Sequence, residues 1–170
     1  QTAPIDITAT DKLTAWASLR KLSDAAIGEV FGLGATPGSL SGSISMLAPP
    51  GVGIGRYEVA ANGGVNAYAQ FAAAAPDTSV ISARCDFSVS TVAAGRISVR
   101  RNNIATTFQI SGNGSGVGPF GNLPLYIGRR GGTSLPFNGR IYGLIIRGAA
   151  TPDPTISRVE RYLNAKSRAY

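Results

Sequence analysis

The chain has 170 residues, with thirteen Arg and three Lys against nine acidic side chains, a formal charge of +7, no His and a single Cys. A chain of this size buries about 70% of its unfolded surface and can sustain a core without disulfides. No apolar run approaches the roughly 20 residues that cross a bilayer as a helix, so membrane insertion is not expected.

Residues 2–10 read as extended and lead into Asp11 to Arg20, where Leu13, Ala15, Ala17 and Leu19 fall on one face and Thr14, Trp16, Ser18 and Arg20 on the other. Period-two alternation of this kind marks a strand with one buried side. After a connection over Lys21 to Gly28, Glu29 to Leu33 reads as a short strand and Gly34-Ala-Thr-Pro-Gly38 as a turn. Further strands are predicted at Gly42 to Ala48, Gly53 to Ala60 and Val65 to Phe71, with turns at Pro49-Pro-Gly51 and Ala61-Asn-Gly-Gly64. Ala72 to Ala75 precede Pro76 and are too few for a stable helix.

Strands at Thr78 to Val89, Arg96 to Arg101 and Ile104 to Ile110 are separated by turns around Ala93-Ala-Gly95 and Asn102-Asn103. Asn tolerates positive φ, which suits a two-residue hairpin turn. Cys85 shares a strand face with Ile81 and Phe87, as a small buried hydrophobe does. A lone cysteine also fits assembly in a reducing cytoplasm. Ser111 to Pro119 is a Gly-rich surface loop, and Leu123 to Gly128 and Gly139 to Arg147 are the last strands.

Pro152-Asp-Pro154 opens one closing helix, with Asp153 as the expected cap and Pro154 in the first turn. Ile156, Val159 and Tyr162 or Leu163 form its packing side, and Arg158, Glu160, Arg161 and Lys166 its solvent side. Many short strands punctuated by 22 Gly, with one terminal helix, predict an all-β fold: a two-sheet antiparallel sandwich. No internal repeat or boundary divides residues 1–170, which read as one domain. Because the first residue is Gln rather than Met, a processed product or part of a longer chain is expected.

The basic balance favours a polyanionic partner, but the cations stand singly or in pairs such as Arg20-Lys21, Arg100-Arg101 and Arg129-Arg130, which weighs against nucleic acid. Arg56 and Glu58, like Arg84 and Asp86, sit two apart on one strand face and are expected to form exposed ion pairs. The sequence has no His, no Gly-x-Ser-x-Gly elbow and no phosphate-cradling Gly-x-x-x-x-Gly-Lys, so no nucleophile has an evident base. A non-enzymatic chain with no cofactor is expected.

Ile97-Ser-Val-Arg-Arg-Asn-Asn103, Leu125-Tyr-Ile-Gly-Arg-Arg130 and Phe137-Asn-Gly-Arg-Ile-Tyr142, with the last strand and helix, resemble the final third of laminin-G-like, concanavalin A-like jelly rolls. Leu13 to Gly34 matches the N-terminal part of that pattern more loosely. The resemblance covers most of the chain and is nearest to modules of bacteriophage tail fibres and other virion proteins. It implies a jelly roll on the exterior of a phage particle, assembled in the bacterial cytoplasm. The implied partners are a host cell-surface glycan or lipopolysaccharide, other virion proteins and further copies of the chain in a homo-oligomer. Calcium-binding members of the family use Asp on the rim; here residues 111–122 and 129–136 contain no Asp or Glu, so no metal is expected. The related glucanases carry paired carboxylates on one strand, a spacing missing from this sequence.

Sugars are held by an aromatic plane flanked by hydrogen-bonding groups. Trp16 on the polar face of its strand with Arg20 is the candidate platform, and Tyr57, Asn62, Asn113, Arg129 and Arg130 in or beside turns are candidate polar contacts. Packing of Trp16 under a loop or in the second sheet is the competing reading. Tyr126 and Tyr142 alternate with apolar neighbours and are expected in the core. Three functions stay open: a glycan- or receptor-binding virion module, a purely structural virion decoration or assembly domain, and a bacterial surface adhesion domain.

Overall fold

The computed structural model describes residues 1–170 other than 38, 64–65, 90, 92–94, 108 and 111–117. In chain order the elements are β1 (Pro4–Asp6), β2 (Lys12–Lys21), β3 (Glu29–Leu33), β4 (Ser43–Leu47), β5 (Arg56–Asn62), β6 (Asn66–Ala72), β7 (Asp77–Asp86), β8 (Ile97–Arg101), β9 (Ile104–Ala105), β10 (Gln109–Ile110), β11 (Asn122–Ile127), β12 (Gly139–Arg147) and α1 (Asp153–Ser167). The strands form two antiparallel sheets, one of seven strands in the order β1-β11-β3-β4-β5-β6-β10 and one of five in the order β12-β2-β7-β8-β9. The predicted all-β sandwich with a terminal helix is the observed architecture.

The core lies between the sheets and is built by alternation. From β2, Leu13, Ala15, Ala17 and Leu19 meet Phe31, Leu33, Ile44, Met46 and Val59 of the facing sheet, all fully buried. Cys85 is 2% exposed in the same core, and burial pushes its thiol up to about 12, which removes it from thiolate chemistry. Asn102 and Asn103 both take positive φ (53° and 66°), as a tight β8–β9 hairpin turn requires.

Several boundaries differ from the sequence reading. β5 runs through Asn62, because ladder pairing with Ile44 and Ser43 continues into Ala61 and Asn62, the first two residues predicted to turn. Ile104 to Ile110 is two short strands rather than one: β9 pairs with β8 in the five-stranded sheet, and β10 crosses to pair with β6 in the other. The turn residues Gly38, Gly64, Ala93 and Ala94, the strand residue Val65 and most of the 111–119 loop lie outside the described residues.

α1 lies on the outer face of the five-stranded sheet, where Trp16, Val80, Ile156 and Leu163 form a second apolar cluster. A Cβ on Gly143 would come within 2.7 Å of Leu163 Cδ2, so glycine there lets the helix approach β12 closely. Glu160, expected on the solvent side, is fully buried; it accepts hydrogen bonds from the Ser82 hydroxyl (2.5 Å) and the Arg100 guanidinium (3.1 Å). Tyr162 is 58% exposed, so Leu163 is the packing residue. Pro152 rather than Asp153 takes the N-cap position, with no side-chain cap, and Asp153 instead pairs with Arg84 at 2.7 Å. Arg84 is thereby drawn away from Asp86, which pairs with Lys12 at 3.1 Å.

One end of the sandwich is closed by a buried ammonium. Lys21, at the end of β2, reaches the Asp24 carboxylate (2.6 Å), donates to the Ala73 carbonyl (2.6 Å), and stands over the Tyr57 ring at 4.8 Å. It thus ties the five-stranded sheet to β5 and β6 of the other. Burial alone pushes the Asp24 carboxyl up, but the Lys21 hydrogen bond, the Ala75 N–H and the Lys21 charge together hold it below the ordinary value. A carboxyl lowered in the folded state adds stability above its unfolded pKa and loses it as pH falls through the folded pKa. Lys21→Met should cost about 3 kcal/mol or more in urea unfolding at neutral pH, and its stability should fall less steeply with acid than the parent's. A cost below about 1 kcal/mol would show an ordinary surface pair instead.

Candidate ligand-binding face

α1 covers the middle of the five-stranded sheet; the outer face of the seven-stranded sheet carries no helix, and it is half-exposed along β5 and β6, whereas Glu29, Ser43, Ser45, Leu47 and Ala60 on that face are buried. Alternation fixes what points there: Tyr57, Val59 and Ala61 of β5 and Ala67, Ala69 and Phe71 of β6 go to the core, so Arg56, Glu58, Tyr68 and Gln70 point out. The ladder Glu29–Leu47–Glu58–Gln70 runs across β3, β4, β5 and β6. The neighbouring ladder, Tyr126–Gly32–Ser45–Ala60–Tyr68, places three small residues between two tyrosines, about 19 Å apart by strand spacing.

The polar groups of this face are linked. Gln70 accepts from Arg56 at 3.1 Å and donates to Glu58 at 2.6 Å, while Arg130 donates to Glu29 at 3.0 Å. Arg56 and Glu58, expected to pair directly, are therefore bridged by the Gln70 amide. Glu29 is fully buried, and its Oε1 has no hydrogen-bond partner. That oxygen lies 2.3 Å from where a Cβ on Gly32 would be, so the glycine makes room for the carboxylate. Burial pushes both carboxyls up; the hydrogen bond and charge of Arg130 offset this in part for Glu29, and the Gln70 hydrogen bond and the Arg130 charge in part for Glu58. The segment between β3 and β4 folds over one end of the face, where the Ser43 hydroxyl donates to the carbonyls of Pro37 and Leu40.

The residues proposed from sequence scatter. Trp16 is 1% exposed beneath α1, which rules it out as a sugar platform; its register with Ile145 and Ser82 puts it under the helix. Arg20 is exposed on that same side of the molecule, away from the polar face. Tyr57 is a core residue, stacked on Phe71 at 5.4 Å, with its hydroxyl donating to Asp77 at 2.8 Å. Asn62 is 3% exposed at the end of β5. Asn113 lies outside the described residues. Arg130 alone joins the polar cluster, and Arg129 is exposed beside it in the turn after β11. Tyr126 is buried as expected, but on the outer face of its strand rather than in the core, and Tyr142 is half-buried at the β12 bulge.

Arg56, Glu58, Tyr68 and Gln70 were missed as site residues, although Arg56-x-Glu58 and Tyr68-x-Gln70 were legible as alternating polar positions. Among the described residues no group of three or more His, Cys, Asp or Glu could hold a metal ion, and no helix is long and apolar enough to cross a membrane.

No family model and no curated protein matches the sequence. Solved structures share its fold. The CBM40 domain of the Ruminococcus gnavus IT-sialidase bound to alpha2,3-sialyllactose superposes with a TM-score of 0.63 at 15% identity, covering 91% of this chain and 84% of that one. The heptameric SAP-like pentraxin of Limulus polyphemus gives 0.60 at 13% identity, over 89% and 70%. The NanB sialidase of Streptococcus pneumoniae gives 0.60 at 14%, over 91% of this chain and 26% of that one. At these identities the likeness establishes the fold, a jelly-roll sandwich of the concanavalin A-like kind.

A carboxyl raised in the folded state adds stability below its unfolded pKa and loses it as pH rises through the folded pKa. Glu58→Gln should therefore unfold at higher urea than the parent at pH 8, with the difference closing toward pH 4. A difference that stays constant with pH would contradict the buried charge.

Proposed function

We propose that this chain is a non-catalytic carbohydrate-binding module whose ligand lies on the outer face of the seven-stranded sheet, against Arg56, Glu58, Tyr68, Gln70 and Arg130. The observation that carries the reading is the half-buried polar row along β5 and β6, with Arg130 beside it, on the side of the sandwich that no helix covers. Sugar hydroxyls need donors and acceptors together, and their C–H faces stack on rings. Glu58 accepts, the arginines donate, Gln70 does both, and Tyr68 offers a ring. The sialyllactose-bound CBM40 domain supports the reading, because its fold is the same and its ligand is a saccharide.

From the sequence resemblance we place the module on the exterior of a phage particle, where the ligand is a host-surface glycan or lipopolysaccharide and the neighbours are other virion proteins. A structural virion module without a ligand is the second reading. It is favoured by the Arg56–Gln70–Glu58 chain, whose members already satisfy one another.

On a glycan array the parent should retain at least one saccharide, and Gln70→Ala and Tyr68→Ala should each weaken that binding by about tenfold while remaining folded. An array with no retained glycan would leave the structural reading; full binding by both variants would move the site elsewhere. Mass spectrometry of purified phage particles should find the chain, and its secretion by bacteria without particles would instead favour a cell-surface adhesion domain.

A further inference from the structure

We infer that the opposite side of the molecule is a second docking surface, made for an acidic polysaccharide. Arg20 of β2 and Arg140 of β12 are direct cross-strand neighbours, both exposed. Like charges directly opposite on one sheet face destabilise the pair. The residue on the other flank of Arg20 is the uncharged Thr78. The C-terminal end of α1 arrives at the same place: the Ser18 hydroxyl donates to the Leu163 carbonyl, and the Lys166 stem lies 3.8 Å from a Cβ position on Gly143, the register partner of Ser18. Lys166 and Arg168 are exposed there, and Arg158 and Arg161 are exposed on the outer side of the helix.

Six exposed cations thus share one side with no Asp or Glu side chain to answer them. All nine acids are engaged elsewhere. Glu160 is buried beneath the helix with Arg100, Asp153 is at the far end of α1 with Arg84, and Asp77 is held by Arg101, Ser79 and Tyr57. Asp11 and Asp86 hold Lys12, Asp24 holds Lys21, Glu29 holds Arg130, Glu58 holds Gln70 and Asp6 holds Thr8. A second copy of this chain offers only scattered acids, each already hydrogen-bonded or ion-paired, so the complement that fits a patch of six cations is an outside polyanion.

The shape of the surface selects the kind of polyanion. α1 lies flat, with Ile156 and Leu163 committed to the sheet, so no element protrudes to enter a nucleic-acid groove. The exposed Tyr162 ring is already capped by Lys166 at 5.0 Å, which takes it from base stacking. A neighbouring Arg pair with further cations spread along the helix suits a chain that carries a carboxylate on every unit, such as a uronate polymer, engaged by charge and independently of the polar sheet face.

The test is binding of the full chain to polygalacturonate at about 50 and about 200 mM salt, beside neutral dextran and a short DNA duplex. Polygalacturonate should be retained at low salt and released at high salt, with dextran unbound. Arg20→Gln/Arg140→Gln should bind it about tenfold more weakly, with a thermal midpoint equal to or above the parent's because the like-charge pair is relieved. Lys166→Gln should weaken binding in the same direction, and Gln70→Ala should leave it unchanged. Parental binding by the double variant, loss on Gln70→Ala, or tighter binding of the DNA duplex would each overturn the assignment.

Discussion

Burial of both faces of β2 is the constraint from which the rest of the molecule follows. Its inner face supplies Leu13, Ala15, Ala17 and Leu19 to the inter-sheet core, and its outer face supplies Thr14, Trp16 and Ser18 to the floor beneath α1. A tryptophan on the outer side of a central strand cannot be left in water without a large loss of apolar burial. The helix is the cover it requires. With that cover in place the sandwich becomes a three-layer body with one side closed, and the half-exposed strand surface is the β5–β6 part of the back of the seven-stranded sheet.

Two of the buried ion pairs fix the geometry of this arrangement. Glu160 with Arg100 sets the helix on β7 and β8, and Lys21 with Asp24 locks the end of β2 to β5 and β6. Each charge is paired and hydrogen-bonded, which is how a charge is tolerated away from water. Their contribution is orientation more than net stability: an apolar replacement of both partners could pack as well but would not dictate where the helix or the sheet edge sits.

The consequence for function is a separation of surfaces. The polar row around Glu58 and Gln70 is nearly balanced in charge, with two carboxylates and two guanidiniums, and is suited to directional hydrogen bonding. The helix side carries unanswered cations and is suited to long-range attraction, which depends on salt and little on exact fit. A molecule built this way can be drawn to an anionic surface by one side and read a particular saccharide with the other.

Strand alternation in β2, β5, β6 and β7 was readable from the chain because a pleated strand repeats every two residues whatever surrounds it. The Asn102-Asn103 turn and the closing helix were readable for the same local reason. Which face of each strand meets which layer is not a local property. Trp16 read as a surface aromatic because it shares a strand face with Thr14, Ser18 and Arg20, and Tyr57 because it stands in or beside a turn, yet the helix covers one and the facing sheet the other. Glu29, Glu58, Gln70 and Arg130 come from segments up to 101 positions apart, and only strand order across the seven-stranded sheet brings them into one row. The sequence by itself determined the elements and their two-sided patterning, because these rest on backbone periodicity. The choice of which polar side is covered and which is open was made by tertiary packing, because burial is a property of the assembled layers.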